Sequence, residues 1–129
     1  AAIAGEAAAE IYDLNLISQN IEDEPDITTR VLVVGKRATP ASGSDKTSLL
    51  IYTDNKPGAL YAILEPFARN AISMNRIESR PSRQGMWDYV FFVDIEGHVD
   101  DENVTLALKE LEQAASSIKV LGSYPRAVL

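Results

Sequence analysis

The chain has 129 residues, 46% of them apolar and 24% charged, enough for a packed core and too mixed for a disordered or membrane-embedded chain. Its net charge is −7, so its surface repels nucleic acid unless basic residues are segregated, and Arg76, Arg80 and Arg83 form the one local basic concentration, with Glu78 among them. It has no cysteine and one histidine, which excludes disulfides, thiolate metal sites and histidine-cluster metal sites.

Residues 1 to 14 have helical periodicity. Ile3, Ala7, Ile11 and Leu14 fall near one stripe, and Glu6, Glu10 and Asp13 lie off it. Gly5 weakens that helix by about 1 kcal/mol relative to alanine. The segment lacks the basic, apolar, small-residue order of a signal peptide, and the longest apolar run is far short of a membrane span. A cytoplasmic protein is expected. Leu16-Ile17 begins a short extended piece, and Glu22 to Asp26 form an acidic loop that Pro25 keeps irregular. Ile27 to Val34 is β-branched and mostly apolar, the pattern of a strand buried on both faces. Residues 35–46 hold three glycine or proline residues among Lys, Arg, Ser, Thr and Ala, and read as a linker. The helix and strand before it are too small to bury a core alone and are expected to be cut from a larger domain.

After the linker the pattern tightens. Thr47 to Thr53 alternates as a strand. Pro57 to about Asn70 is a helix, with Pro57 at the first helical position and Leu60, Ile63, Leu64 and Phe67 on the buried stripe. Pro66 removes one internal hydrogen bond and should kink the last turn. Ile72 to Arg80 is a strand stopped by Pro81. Met86 to Glu96 is the strongest strand, with Trp87, Tyr89, Phe91, Val93 and Ile95 on one face and Val90 and Phe92 on the other. Asp100-Asp101-Glu102 begins a second helix, buried through Val104, Ala107, Leu108 and Leu111. Ser117 to Tyr124 is the last strand. The order β-α-β-β-α-β specifies an α+β, ferredoxin-like domain: a four-stranded antiparallel sheet with two helices on one face. The other face carries Val and Phe, so a second copy or another domain is expected to cover it.

The stretch from Asn55 to Pro81 is the candidate site. Backbone N–H groups at a helix start have no internal partner and favour a carboxylate. Gly58 lets a ligand approach the backbone, and Asn55 offers a donor and an acceptor, as a free amino acid requires. The bland alternative is that Asn55 only caps the helix and Gly58 only serves the turn. Glu78 and Arg80 share a strand face, and Ser79 points the other way with Ile77. They either close a pocket or form a charged edge that blocks unwanted sheet pairing. His98, in a turn beside Gly97, reads as structural or solvated. Asp94 and Glu96 share a strand face without other marks of an acid–base pair. No phosphate-loop or Ser-His-Asp pattern is present, and no cofactor is expected.

Pro57-Gly58-Ala59-Leu60 followed by Ile77-Glu78-Ser79-Arg80-Pro81 resembles the ACT domain of prephenate dehydratases. The similarity continues through residues 64–68, which include Pro66, and residues 89–98, and spans about residues 46–125. Upstream, Thr29-Arg30-Val31 resembles the Thr-Arg-Phe signature of the same family's catalytic domain, with Val in place of Phe. The resemblance implies three parts: a catalytic-domain remnant over 1–34, a linker over 35–46 and an ACT regulatory domain over 47–129. It implies that Thr29 matches the threonine that assists departure of the ring hydroxyl of prephenate, in a site this chain holds incompletely. It further implies L-phenylalanine as feedback effector, bound between two ACT domains of a homodimer or dimer of dimers. The backbone of Gly58, Ala59 and Leu60, with Asn55, would hold its amino-acid end, and Ile77, Glu78, Ser79 and Arg80, with Leu60, would close around its ring and the neighbouring subunit. The fragment alone is expected to be inactive. Two alternatives remain, a stand-alone ACT amino-acid sensor and the regulatory part of an aromatic amino acid hydroxylase; the segment before Gly35 argues against both.

Overall fold

The computed structural model describes residues 1–24, 31–81 and 89–127. The chain forms two units, residues 1–35 and 36–129. Among its described residues the first contains one short helix, α1 (Ala7–Tyr12), with no buried residue. It is less than half the length expected from the sequence. Asp13 turns left-handed at φ 51°, and the N–H groups of Asp13 and Leu14 both reach the Ala9 carbonyl, closing the helix there. The strand expected over Ile27 to Val34 is not found in its described part: Val31 to Val34 have no regular structure, and Val33 is 100% exposed. A strand apolar on both faces needs neighbours on both sides, and the described residues of this unit contain none. Residues 27–30 of that expectation lie outside the described residues.

The second unit holds β1 (Asp45–Thr53), α2 (Ala59–Arg69), β2 (Met74–Pro81), β3 (Tyr89–Glu96), α3 (Glu102–Ala114) and β4 (Ser117–Pro125). The sheet order is β2-β3-β1-β4, with every pair antiparallel. This is the expected α+β arrangement. Side chains alternate across β1, so Thr47, Leu49, Ile51 and Thr53 are buried while their neighbours are half-buried. Leu49 and Ile51 pair with Val93 and Phe91 of β3 and bury against Ile63 and Phe67 of α2 and Val104, Ala107 and Leu111 of α3. That cluster is the core, and it fixes the register, because a one-residue slip would turn each strand's apolar set outward. On the other sheet face Val90 is buried, and Leu50, Tyr52 and Phe92 are half-buried.

Two details of α2 differ from the sequence expectation. The helix starts at Ala59, because Pro57 and Gly58 occupy a turn before it. Leu60, expected in the core, is 43% exposed. Pro66 is accommodated inside the helix and buried. Its carbonyl accepts from both the backbone N–H (3.1 Å) and the side chain (2.8 Å) of Asn70, which end the helix.

Candidate functional site

The turn ahead of α2 follows from its sequence. Lys56-Pro57-Gly58-Ala59 is closed by a bond from the Ala59 N–H to the Lys56 carbonyl (3.1 Å), and Gly58 sits at φ 80°, ψ −1°. Those are the features of a type II turn, which favours proline second and demands glycine third. The Lys56 N–H also returns to the Asp54 carbonyl (2.9 Å), so the chain reverses twice within four residues. Ala62 is the first helical residue to donate back into the turn, to the Gly58 carbonyl. The N–H groups of Leu60 and Tyr61 therefore have no partner among the described residues. Asn55 does not cap the helix; its amide is left for other contacts.

Leu60 and Tyr61, which carry these N–H groups, line a pocket of about 290 Å³, close to the lower end of the size range of small-molecule sites. The turn supplies Thr53, Asp54, Asn55, Lys56 and Gly58 to its wall, and the helix start supplies Ala59, Leu60 and Tyr61. The sheet supplies Ser79, Tyr89 and Phe91. The antiparallel register explains that last group: Thr53 pairs with Tyr89, and Ser79 pairs with Phe91, so the four side chains share one sheet end and one face. The rings of Tyr89 and Phe91 lie 6.4 Å apart at 31°, giving the pocket an aromatic side. Its rim is open, with Leu60 43% and Tyr61 70% exposed.

Of the residues singled out from the sequence, Asn55, Gly58, Ala59, Leu60 and Ser79 are brought together here. Ile77 shares the pocket's sheet face, pairing with Val93, but does not line it. Glu78 and Arg80 are on the opposite face, paired with Phe92 and Val90. There Glu78 accepts from Arg80 Nε (2.8 Å) and from Arg76, and Arg80 stacks over the Phe92 ring at 5.9 Å. Bonds from Arg80, then Arg76, hold the Glu78 carboxyl below its ordinary range. Thr29 lies outside the described residues, as does Trp87. Thr53, Asp54, Lys56, Tyr61, Tyr89 and Phe91 were not singled out; strand register would have found the two aromatics.

The other end of the same sheet is polar and closed. His98 is 3% exposed. Its Nδ1 accepts from the Asp100 N–H (3.1 Å), which leaves Nε2 to donate to the Thr39 carbonyl (2.9 Å). Thr47 Oγ1 donates to the Gly97 carbonyl (2.7 Å), and Asp101 Oδ2 accepts from the His98 N–H (2.7 Å). Asp45 accepts from the Ser42 hydroxyl (2.6 Å) and from the N–H groups of Ser42 and Gly43. The Ser42 hydroxyl is the main cause that lowers the Asp45 pKa, with those two backbone bonds adding to it against the effect of burial. No group of three His, Asp or Glu is placed to hold a metal ion among the described residues.

The ACT domain profile matches residues 47–113, just over half of the chain and all of the sheet-and-pocket framework except the last strand. This chain belongs to the ACT domain family. The prephenate dehydratase profile matches residues 1–39, ahead of the ACT domain. The whole chain is 53% identical to a bifunctional chorismate mutase/prephenate dehydratase of Neisseria gonorrhoeae and spans 36% of that protein's length. Among solved structures, a prephenate dehydratase of Arthrobacter aurescens in complex with L-Phe matches 71% of this chain and 30% of its own. Its TM-score is 0.65 at 36% identity. GqqA, described as a novel type of quorum quenching acylase, matches 72% of this chain and 48% of its own, with a TM-score of 0.67 at 31% identity. The ACT scaffold thus occurs in proteins with different named activities, and function has to be argued from the site.

Proposed function

We propose that this chain is the phenylalanine-sensing regulatory part of a prephenate dehydratase, an enzyme that converts prephenate to phenylpyruvate with loss of water and CO2. The observation that carries the reading is the pocket at the start of α2 (Ala59–Arg69). Two unpartnered N–H groups, an uncommitted Asn55 amide and an aromatic wall suit an aromatic amino acid. The prephenate dehydratase match over residues 1–39 favours a domain attached to an enzyme over a stand-alone sensor. The L-Phe complex of the Arthrobacter relative supports the choice of ligand.

In this reading Asn55, Gly58, Ala59 and Leu60 hold the amino-acid end, and Ser79, Tyr89 and Phe91 contact the ring. The open rim, with Leu60 and Tyr61 exposed, is completed by a second ACT domain in a homodimer or a dimer of dimers. Ile77, Glu78 and Arg80 act at that edge, outside the pocket of one protomer. The effector favours one quaternary arrangement and shifts the population toward it, with a coupling of about 1–3 kcal/mol. Thr29, within the segment matching the enzyme, assists departure of the prephenate ring hydroxyl in the complete cytoplasmic protein. The isolated chain carries no dehydratase activity.

Isothermal titration of the chain with L-phenylalanine tests the reading. Saturable binding with a rise in melting temperature is expected, because a ligand bound only by the folded state stabilises it. No heat and no thermal shift at about 1,000 times a micromolar Kd would reject it.

A further inference from the structure

Among the described residues the pocket wall carries one acidic and one basic side chain, Asp54 and Lys56, on the two-step turn between β1 (Asp45–Thr53) and α2. They form no ion pair with each other. Asp54 is held from behind: its Oδ1 accepts from the Ser116 hydroxyl (2.9 Å), and the Ser116 N–H is itself bonded to the Tyr52 carbonyl (2.9 Å). That bond ties the pocket turn to the residue just before β4 (Ser117–Pro125) and leaves Oδ2 without a hydrogen bond among the described residues. The Asp54 carbonyl is also spent, accepting from the Lys56 N–H. Asp54 is exposed and lines the pocket, and one of its carboxylate oxygens is uncommitted among the described residues.

From this arrangement we infer that Asp54 is the specificity residue that selects for a ligand's ammonium group, so that the pocket takes α-amino acids and rejects the corresponding acids without an amine. The inference rests on the amino-acid reading of the same pocket and adds what that reading leaves open, namely which group recognises the positive charge. The unpartnered N–H groups of Leu60 and Tyr61 can only donate, and Lys56 is itself a cation, so none of them can accept from an ammonium. Asn55, Ser79 and Tyr89 offer neutral acceptors. Among the described residues Asp54 is the one anionic acceptor in the wall, and a charge-assisted bond is about twice as strong as a neutral one. The two signs of charge in the wall also match a zwitterion, with the acidic side at Asp54 and the donating side at Lys56 and the start of α2.

The test pairs L-phenylalanine with 3-phenylpropionate, which keeps the ring and the carboxylate and lacks the amine. On the unaltered chain, calorimetry is expected to show 3-phenylpropionate binding at least about tenfold more weakly, the scale of one bond to a charged group. In Asp54→Asn, whose amide oxygen can still accept from Ser116, affinity for L-phenylalanine falls by about tenfold or more while that for 3-phenylpropionate stays within about twofold. Equal affinity for the two ligands on the unaltered chain would overturn the inference, as would parallel losses of both, or no change, in the variant. If the unaltered chain binds neither ligand, the amino-acid reading itself fails. If it binds L-phenylalanine and Asp54→Asn keeps that affinity, only the role of Asp54 fails.

Discussion

The two ends of the ACT sheet are built from similar materials and finish in opposite states. At the end where β1 begins, Asp45, Thr47, His98 and Asp101 are all engaged by hydrogen bonds within the domain, and His98 is almost wholly enclosed. At the end where β1 stops, two N–H groups, the Asn55 amide and one oxygen of Asp54 are left over around a cavity. Each end has a glycine at positive φ, and the reasons differ. At Gly97 (φ 103°) an added Cβ would lie 2.8 Å from Val104 Cγ2 and 3.2 Å from Asp101 Oδ2. At Gly58 (φ 80°) it would meet nothing within 4 Å. Polar groups satisfied internally hold a fold together, and polar groups left open at a cavity are available to a ligand.

The largest effect that would break this contrast is at the closed end. Gly97→Ala combines a left-handed backbone with a contact against the rigid start of α3 (Glu102–Ala114), and should cost about 2–4 kcal/mol. In a domain of this size that lowers the melting temperature by roughly 10–20 °C. The affinity of the folded fraction for L-phenylalanine should not change. A melting temperature within a degree or two of the parent would show that this end is not the packed one.

Gly58→Ala should reverse the balance. The space is open, so only the backbone cost applies, about 1–2 kcal/mol. The type II turn is nevertheless distorted, and the Leu60 and Tyr61 N–H groups move with it. Affinity for L-phenylalanine should drop by about tenfold or more, read by calorimetry at a temperature where the variant is still folded. Loss of stability without loss of affinity would separate the turn from the site.

These two glycines also show what the sequence could and could not reveal. The order of strands and helices was legible because β1, β3 and α3 carry clean periods, and Leu49, Ile51, Val93, Val104 and Leu111 sit in the core as their spacing requires. The start of α2 was misplaced by two residues, because Pro57 is suited both to the first turn of a helix and to the second place of a type II turn, and Gly58 decides for the turn. Leu60 satisfies the helical stripe yet lies at the pocket rim, since periodicity reports a face and not what covers it. Tyr89 and Phe91 join the pocket through pairings with residues more than ten positions away, which only the sheet register supplies. Val31 to Val34 read as a strand from composition alone; strand formation needs a partner, and none is found among the described residues of that unit.

A smaller effect sharpens the closed end from the side of pH. The Asp45 carboxyl is held below its ordinary value of 3.8, chiefly by the Ser42 hydroxyl. A carboxyl depressed on folding contributes stability that is fully present above its unfolded value and is lost as pH falls through its folded value. Its share should therefore persist near neutral pH and disappear below about pH 4. In Asp45→Asn the acid limb of a stability-versus-pH curve should be shallower than in the parent. An unchanged slope would mean that the bonds to Ser42 and Gly43 are not maintained in solution.

The most direct test of the whole contrast is a residue-resolved NMR titration of the chain with L-phenylalanine. The account predicts amide shifts concentrated at Asn55, Gly58, Leu60, Tyr61, Ser79 and Phe91, with Gly97 to Asp101 unmoved. Shifts concentrated at Gly97 to Asp101, or no shifts at saturating ligand, would contradict it.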